Sequence, residues 1–291
     1  MGLKNRSRLA AAILLLLTTA LLSSGCASLV SNAASGLADN LSSAILNQDD
    51  PETVRAGMPS YMLLMDSFVE GSPDDPAMLG AAANLYASYG AVFVDDAARA
   101  SRLTARARDY ALRGICAIYL AACDWRSLNH DDFIATLSGL TDRHADAVYV
   151  YVFATLAYLR AHSSDWNSLA ELPQAEALVK RYLELSGDSA NGAAHMYLGI
   201  ILTLRPPALG GKPEEARVHF EKAIALSGGR DLSAKIEFAK GYARLLYERE
   251  LHDQLVNEVL QASPYEQGKT LTNVLAQEEA LQLRAAADDY F

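Results

Sequence analysis

The feature that most constrains the fold is an internal repeat of an amphipathic helical segment. The stretch YLELSGDSANGA from Tyr182 aligns with AIALSGGRDLSA from Ala223 at an offset of 41 residues, and LVNEVLQASP from Leu255 aligns 36 residues further on. Each copy has the pattern of the second helix of a helical hairpin. Such repeats bury their apolar faces only by stacking on their neighbours. The sequence therefore predicts an all-α fold in which helical hairpins form a superhelix, an α-α solenoid.

The clearest copy resembles a tetratricopeptide repeat. In its first helix, Leu198 and Gly199 stand where that motif has Leu-Gly. In its second helix, Ala216, Phe220 and Ala223 match the motif's Ala-x3-Phe-x2-Ala. Small residues let two helices approach closely, and a phenylalanine fills the space beside them. We therefore expect these five residues to pack a TPR-like hairpin.

Helical periodicity extends over almost the whole chain. The predicted helices are 51–70, 76–93, 96–123, 131–139, 144–161, 171–186, 191–204, 213–227, 232–249, 251–262 and 270–287. Asp50 and Pro51 supply an N-cap and a first-turn proline for the first of them. The valine-rich segment AVYVYVFATLAYLR contains residues that favour strands. Its length and its continued apolar spacing nevertheless predict a buried helix.

The first residues have the layout of a secretory signal peptide. Basic residues precede an apolar run of about 14 residues, which is shorter than the roughly 20 residues that span a bilayer. Small residues then precede Cys26, as in a bacterial lipobox, although Ser23 stands where leucine is usual. We predict a lipoprotein signal peptide at 1–25, lipidation of Cys26, a tether and first helix at 26–48, and the TPR-like helical domain at 49–291.

The predicted anchor holds the chain on a membrane surface. Acyl chains hold a protein at a membrane surface without any spanning helix. Ala27 follows the cysteine, and the lack of an aspartate at this position favours the outer membrane by analogy with other bacterial lipoproteins.

Charge and cysteine content exclude other classes of protein. The formal net charge is −10, and without an evident basic patch the sequence predicts no nucleic-acid binding, which requires clustered lysine and arginine. Cys116 and Cys123 lie seven residues apart in a helical pattern. On one helix they would be about 10 Å apart, beyond the roughly 7 Å that a disulfide allows. They are expected to be small buried core residues.

The loop RPPALGGKPEE contains a glycine pair followed by a lysine, which are features of phosphate-binding loops. A Walker loop needs G-x-x-x-x-G-K followed by Ser or Thr, but Arg205 occupies the first glycine position and Pro213 replaces the hydroxyl residue. The glycines instead predict a turn, with Pro213 opening the next helix. The histidines show no metal-ligand spacing, and the paired acids stand at helix starts. We therefore expect no catalytic residue, no metal site and no cofactor.

Aromatic residues offer the candidate ligand-binding surface. Tyr86, Tyr89 and Phe93 share one helix face, and Tyr149 and Tyr197, together with Phe153, lie on helices that the repeat brings together. The concave side of a helical superhelix can form an apolar pocket lined by such residues. Alternatively, they are core residues whose hydroxyl groups find partners. Of the two interpretations, the sequence favours the core for any individual residue.

Several segments in order resemble one family. NQDDPETVRAGMPSYMLLMDSFVEGSPDDP, LYASYGAVFVDD, HMYLGIILTLRPPALGGKPEEARVHFEKAIALSGGRDL and the terminal ADDYF are similar to the T component of TRAP (tripartite ATP-independent periplasmic) transporters, a family of TPR-like bacterial lipoproteins. The resemblance implies a membrane-anchored homotrimer that faces the periplasm. It also implies a periplasmic solute-binding protein as partner and a small organic or hydrophobic ligand.

The resulting functional prediction is a non-catalytic scaffold that docks a solute-binding protein and passes on its ligand. The main alternative is a TPR lipoprotein scaffold for outer-membrane or envelope assembly. A helical glycan lyase is a further alternative, but such enzymes usually append a lysozyme-like catalytic domain.

Overall fold

Helices account for most of the computed structural model, which describes residues 40–187 and 192–291. The predicted signal peptide, Cys26 and most of the tether lie outside these residues. Residues 40–46 are helical. The remaining α-helices are α1 Pro51–Gly71, α2 Pro76–Val92, α3 Ala97–Ile118, α4 His130–Leu137, α5 Ala145–Ala161, α6 Trp166–Leu169, α7 Leu172–Ser186, α8 Gly192–Thr203, α9 Pro213–Leu226, α10 Leu232–Glu237, α11 Arg249–Gln261, α12 Thr270–Ala285 and α13 Ala287–Tyr290.

The described residues contain no strand, so the predicted all-α class is confirmed. The valine-rich segment forms α5, with Val148, Tyr151 and Val152 buried. Burial of one continuous helical face therefore outweighs the strand preference of its β-branched residues.

Side-chain caps set the helix starts. Asp50 accepts a hydrogen bond from the backbone N–H of Glu52, as predicted for the start of α1. Asp75 and Asp96 cap α2 and α3 in the same way. Each cap satisfies a backbone donor that the first helical turn leaves free, which contributes about 1 kcal/mol.

Consecutive helices pack against each other. α2 contacts α3, and both contact α5, which contacts α7; α7 then packs on α8, α8 on α9, and α11 on α12. This serial packing is the pattern expected of stacked hairpins, and the superhelical course itself stays a prediction. α12 also contacts α1, and the backbone N–H of Gly268 donates to Oδ1 of Asn47 at 2.7 Å. The first and last hairpins of the domain are therefore in contact.

The segment after α10 departs from the predicted continuous helix over 232–249. A π-helical turn follows over Phe238–Ala243, and Tyr247 takes a positive φ of 55°. The backbone N–H of Glu248 then donates to the carbonyl of Ala243 at 2.8 Å, which closes the turn before α11. The apolar spacing gave no signal for this break because both sides of it contribute buried residues.

Cys116 and Cys123 form a disulfide, with Cα atoms 4.7 Å apart, so the prediction of two unlinked core cysteines is wrong. The distance argument assumed that one helix runs through both positions. Instead α3 ends at Ile118, and Tyr119 takes an extended conformation with φ −143° and ψ 94°. The chain therefore folds back and brings Cys123 beside Cys116.

We expect the disulfide to stabilise the domain. Replacing both cysteines with serine should lower the free energy of unfolding by about 2–3 kcal/mol, because an eight-residue loop is no longer closed in the unfolded chain. Chemical denaturation under non-reducing conditions measures this difference. A reducing agent should lower the stability of the parent protein to that of the variant and leave the variant unchanged. Equal stability of all samples would contradict the prediction.

Candidate functional site

The aromatic residues predicted on the second helix are buried in the core. Tyr86, Tyr89 and Phe93 are each at most 5% exposed. Arginines of α3 cover two of the rings: the guanidinium carbon of Arg106 lies 5.0 Å from the ring centre of Tyr86, and that of Arg99 lies 5.4 Å from Tyr89. A guanidinium group over an aromatic face is attracted by the ring electrons. The geometry thus corresponds to the core alternative for these three residues.

The arginines themselves form a basic surface, so the expectation that the chain has no basic patch is wrong. Arg99, Arg102, Arg106 and Arg113 lie on α3 at spacings of i, i+3, i+7 and i+14. These spacings place residues on one helix face. We call these four residues the arginine stripe. Composition missed it because the chain as a whole is acidic.

Asp66 links α1 to α2 and to α3, the helix that carries the arginine stripe. Its carboxylate accepts hydrogen bonds from the hydroxyl groups of Tyr86 and Tyr110, at 2.7 and 2.8 Å, and pairs with Arg106 at 2.9 Å. Burial raises the pKa of Tyr86, and the neighbouring Asp66 carboxylate raises it further. Sequence analysis missed this site, because Asp66 shares no motif with its distant partners.

The second predicted aromatic set forms a half-buried stack. The rings of Tyr149 and Phe153 on α5 each lie 6.2 Å from the ring of Tyr197 on α8. Tyr182 on α7 lies 5.1 Å from Tyr149. The structure therefore brings together the residues that the sequence placed near each other.

Several ion pairs involve residues of α10 and of the π-helical turn, and both of these elements contact α8. Lys240 contacts Glu237 at 2.9 Å and Glu279 at 2.8 Å, and Lys269 contacts Asp231 at 2.5 Å. We call the aromatic stack together with these ion pairs the aromatic–ionic cluster.

The pKa of Tyr197 responds to residues of both parts of the cluster. Burial raises this pKa well above its usual range, and Tyr149, Asp231 and Glu237 raise it further. The cluster thus offers ring faces to an apolar group and ion pairs to a polar one.

The five predicted repeat residues lie together between α8 and α9. Leu198, Ala216 and Phe220 are 0% exposed, and Gly199 and Ala223 are buried beside them. A Cβ atom added to Gly199 would lie 2.7 Å from the Phe220 ring, so no larger residue fits without movement. This close approach is what the small residues of the motif permit.

The RPPALGGKPEE loop forms a tight turn. Gly210 has a φ of 87°, and a Cβ atom on Gly211 would lie 1.8 Å from the carbonyl oxygen of Arg205. The ammonium group of Lys212 forms an ion pair with the carboxylate of Glu176 at 2.8 Å. The lysine therefore joins this turn to α7.

A histidine pair lies between α8 and α9. Nδ1 of His195 and Nδ1 of His219 are 2.9 Å apart, and their rings stack at 5.2 Å. His195 is 1% exposed. Burial lowers the pKa of His219, and His195 lowers it further, although nearby Glu215 acts in the opposite direction. Within the described residues, no group of three or more metal-binding side chains occurs.

The lowered pKa of His219 predicts a loss of stability in weak acid. Below pH of about 6.5 the unfolded chain binds a proton at this histidine more readily than the folded chain does. The free energy of unfolding should therefore fall as the pH decreases from 7 through the lowered pKa. In His219→Gln this fall should be smaller. Denaturant unfolding of both proteins at several pH values between about 5 and 7.5 measures the difference; parallel profiles would contradict the prediction.

The family comparison covers most of the chain. The family model described as TRAP transporter T-component matches residues 47–291. The chain belongs to this family. The match to the T-component begins at Asn47, the residue that contacts Gly268. No curated protein matches the chain.

Family membership indicates an accessory role in a TRAP transport system, on the periplasmic or envelope side. The TRAP T-component is a transporter accessory family and is not a known enzyme family. None of the helices in 40–187 and 192–291 is both long and apolar enough to cross a bilayer.

Proposed function

We propose that this T-component is a lipid-anchored, non-catalytic scaffold on the periplasmic face of the outer membrane. It assembles as a homotrimer, docks the solute-binding protein of a TRAP transporter and passes on a small organic or hydrophobic ligand. The observation that carries this proposal is the family match over 47–291. The ion gradients that drive TRAP membrane subunits make a nucleotide site in this chain unnecessary.

The disulfide supports the proposed compartment independently of the family. Structural disulfides persist in oxidising environments such as the bacterial periplasm and are rare in the cytosol. Cys116 and Cys123 are paired in the folded domain. A domain with this disulfide is therefore suited to the periplasmic side of the envelope, where lipidation of Cys26 would place it.

The aromatic–ionic cluster is our candidate for ligand contact. Ligand sites combine apolar and aromatic walls with a few placed polar groups. Tyr149, Phe153 and Tyr197 supply the rings, and Lys240 with its two glutamates supplies the charges. A small organic acid with an apolar body fits this combination.

Crosslinking in native membranes, followed by mass-spectrometric identification of the linked proteins, tests the proposed partner. We expect a periplasmic solute-binding protein as the main product. The protein with Cys26→Ala serves as the control, because loss of the anchor should reduce crosslinks to membrane components. Recovery of outer-membrane assembly proteins without any solute-binding protein would support the alternative envelope scaffold.

A further inference from the structure

The charge of α3 is opposite to that of the rest of the chain. This helix carries five arginines and one aspartate, whereas the whole chain has a net charge of −10. Arg108 is buried and paired with Glu171, so it does not contribute to the surface. The other four arginines form the arginine stripe, which extends about 21 Å along the helix at 1.5 Å per residue.

Stacking on aromatic rings holds most of the stripe in place. Arg99 lies over Tyr89, Arg106 over Tyr86 and Arg113 over Tyr110, at 5.4, 5.0 and 5.6 Å from the ring centres. An arginine that is already ordered loses less side-chain entropy when it binds a carboxylate. Arg102 is exposed and has no ion-pair partner within the described residues. Arg106 is already paired with Asp66, so Arg99, Arg102 and Arg113 are the members of the stripe that can pair with an acidic protein surface.

A surface of opposite charge lies on the last helices of the chain. α11 and α13 carry one arginine against five carboxylates. Arg249 pairs with Asp288, which joins the two helices into one surface. Four carboxylates are exposed on this surface: those of Glu250, Asp253, Asp288 and Asp289. We call these four residues the acidic face.

Exposed aromatic rings lie beside the acidic face. Tyr247 is 70% exposed and Tyr290 is 37% exposed, and their rings stack at 5.8 Å. Tyrosine and arginine are both enriched among the residues that dominate binding energy in protein interfaces. Arg244 already lies 3.8 Å from the centre of the Tyr290 ring. Tyr247 is therefore the ring beside the acidic face on which an arginine of a second copy can stack.

We infer that the arginine stripe of one copy of the chain docks on the acidic face of a second copy. An isologous contact through the stripe would place arginine against arginine, which like-charge repulsion disfavours. A contact between two different surfaces must be heterologous, and such contacts close into rings when the rotation permits. The inference rests on the proposed homotrimer and assigns its two surfaces.

Charge reversal tests the stripe. Arg102→Glu in the full chain, purified from membranes in detergent, should raise the apparent dissociation constant of the trimer at least about tenfold, because a carboxylate then faces carboxylates. Arg102→Lys keeps the charge and should associate as the parent does. Light scattering over a range of protein concentrations measures the association. Arg102 is exposed, so both variants should have the melting temperature of the parent at protein concentrations at which all three are monomeric.

Reversing the opposite surface as well tests the pairing. The double variant Glu250→Lys with Asp289→Lys should by itself associate more weakly than the parent. Adding Arg102→Glu to this double variant should restore association. Failure of this restoration would overturn the assignment of the acidic face, and unchanged association of Arg102→Glu would overturn the stripe. If Arg102→Glu lost capture of the solute-binding protein but still formed the trimer, that protein would instead be the partner of the stripe. A restored trimer that captures no solute-binding protein would refute only the proposed docking function.

Discussion

Replacing Phe220 with alanine is expected to lower the free energy of unfolding by about 3–5 kcal/mol. Phe220 is 0% exposed, and its ring stacks on that of Phe238 with ring centres 5.1 Å apart. It belongs to a core cluster built from α8 to α12. Truncation removes buried apolar area and leaves a cavity that these packed helices cannot easily fill. Chemical denaturation measures the loss.

Val218 provides the matched control on the same helix. Its side chain is 61% exposed, so Val218→Ala should change stability by no more than about 0.5 kcal/mol. If Phe220→Ala were no more damaging than Val218→Ala, the packing assigned to the repeat would be wrong.

A double-mutant cycle checks the contact itself. Gly199→Ala places a Cβ atom 2.7 Å from the Phe220 ring, and overpacking of this kind costs about 1–3 kcal/mol. In a Phe220→Ala background the space is open, so the glycine substitution should cost less. Independent, additive effects would show that the two residues do not meet.

The parts of the fold that sequence predicted well depend on local signals. Asp50 caps α1 because a short carboxylate before Pro51 is suited to that position whatever surrounds it. Gly199 and Phe220 meet because the repeat fixes their spacing on two adjacent helices. Periodicity likewise located α5 despite its valines, since a buried helical face extends over many residues.

The parts that sequence missed depend on where the chain turns and on distant partners. The disulfide required α3 to end at Ile118, and nothing in the apolar pattern marks that end, because Leu120 and Ala122 continue it. Asp66 contacts Tyr110, which lies 44 residues away. Such contacts depend on how the helices pack against one another, and the spacing of residues along a single helix does not predict that packing.

The candidate site likewise has parts that the sequence predicted and parts that it missed. Sequence placed Tyr149 and Tyr197 near each other through the repeat, and the structure brings their rings to 6.2 Å. It also grouped Tyr86 with Tyr89, but it did not show that arginines of α3 cover them. A face of aromatic residues at helical spacing therefore indicates burial, and only the packing of neighbouring helices decides between a core and a pocket.

Cys26→Ala is expected to release the protein from the membrane completely. We propose that acyl chains on Cys26 hold the protein at the membrane, and each buried CH₂ contributes about 0.8 kcal/mol. No described helix can replace that anchor by spanning the bilayer. Radiolabelled palmitate should therefore label the parent protein and not Cys26→Ala, and the variant should move from the membrane fraction to the soluble fraction.

The remaining cysteines supply the control for this experiment. Cys116 and Cys123 are joined in a disulfide and are not available for acylation, so the variant with serine at both positions should keep its label and its membrane association. Label that persists in Cys26→Ala would refute lipidation at this residue. Membrane association that persists without label would instead point to a protein partner as the anchor, because the folded domain would then be held by contact with another envelope component.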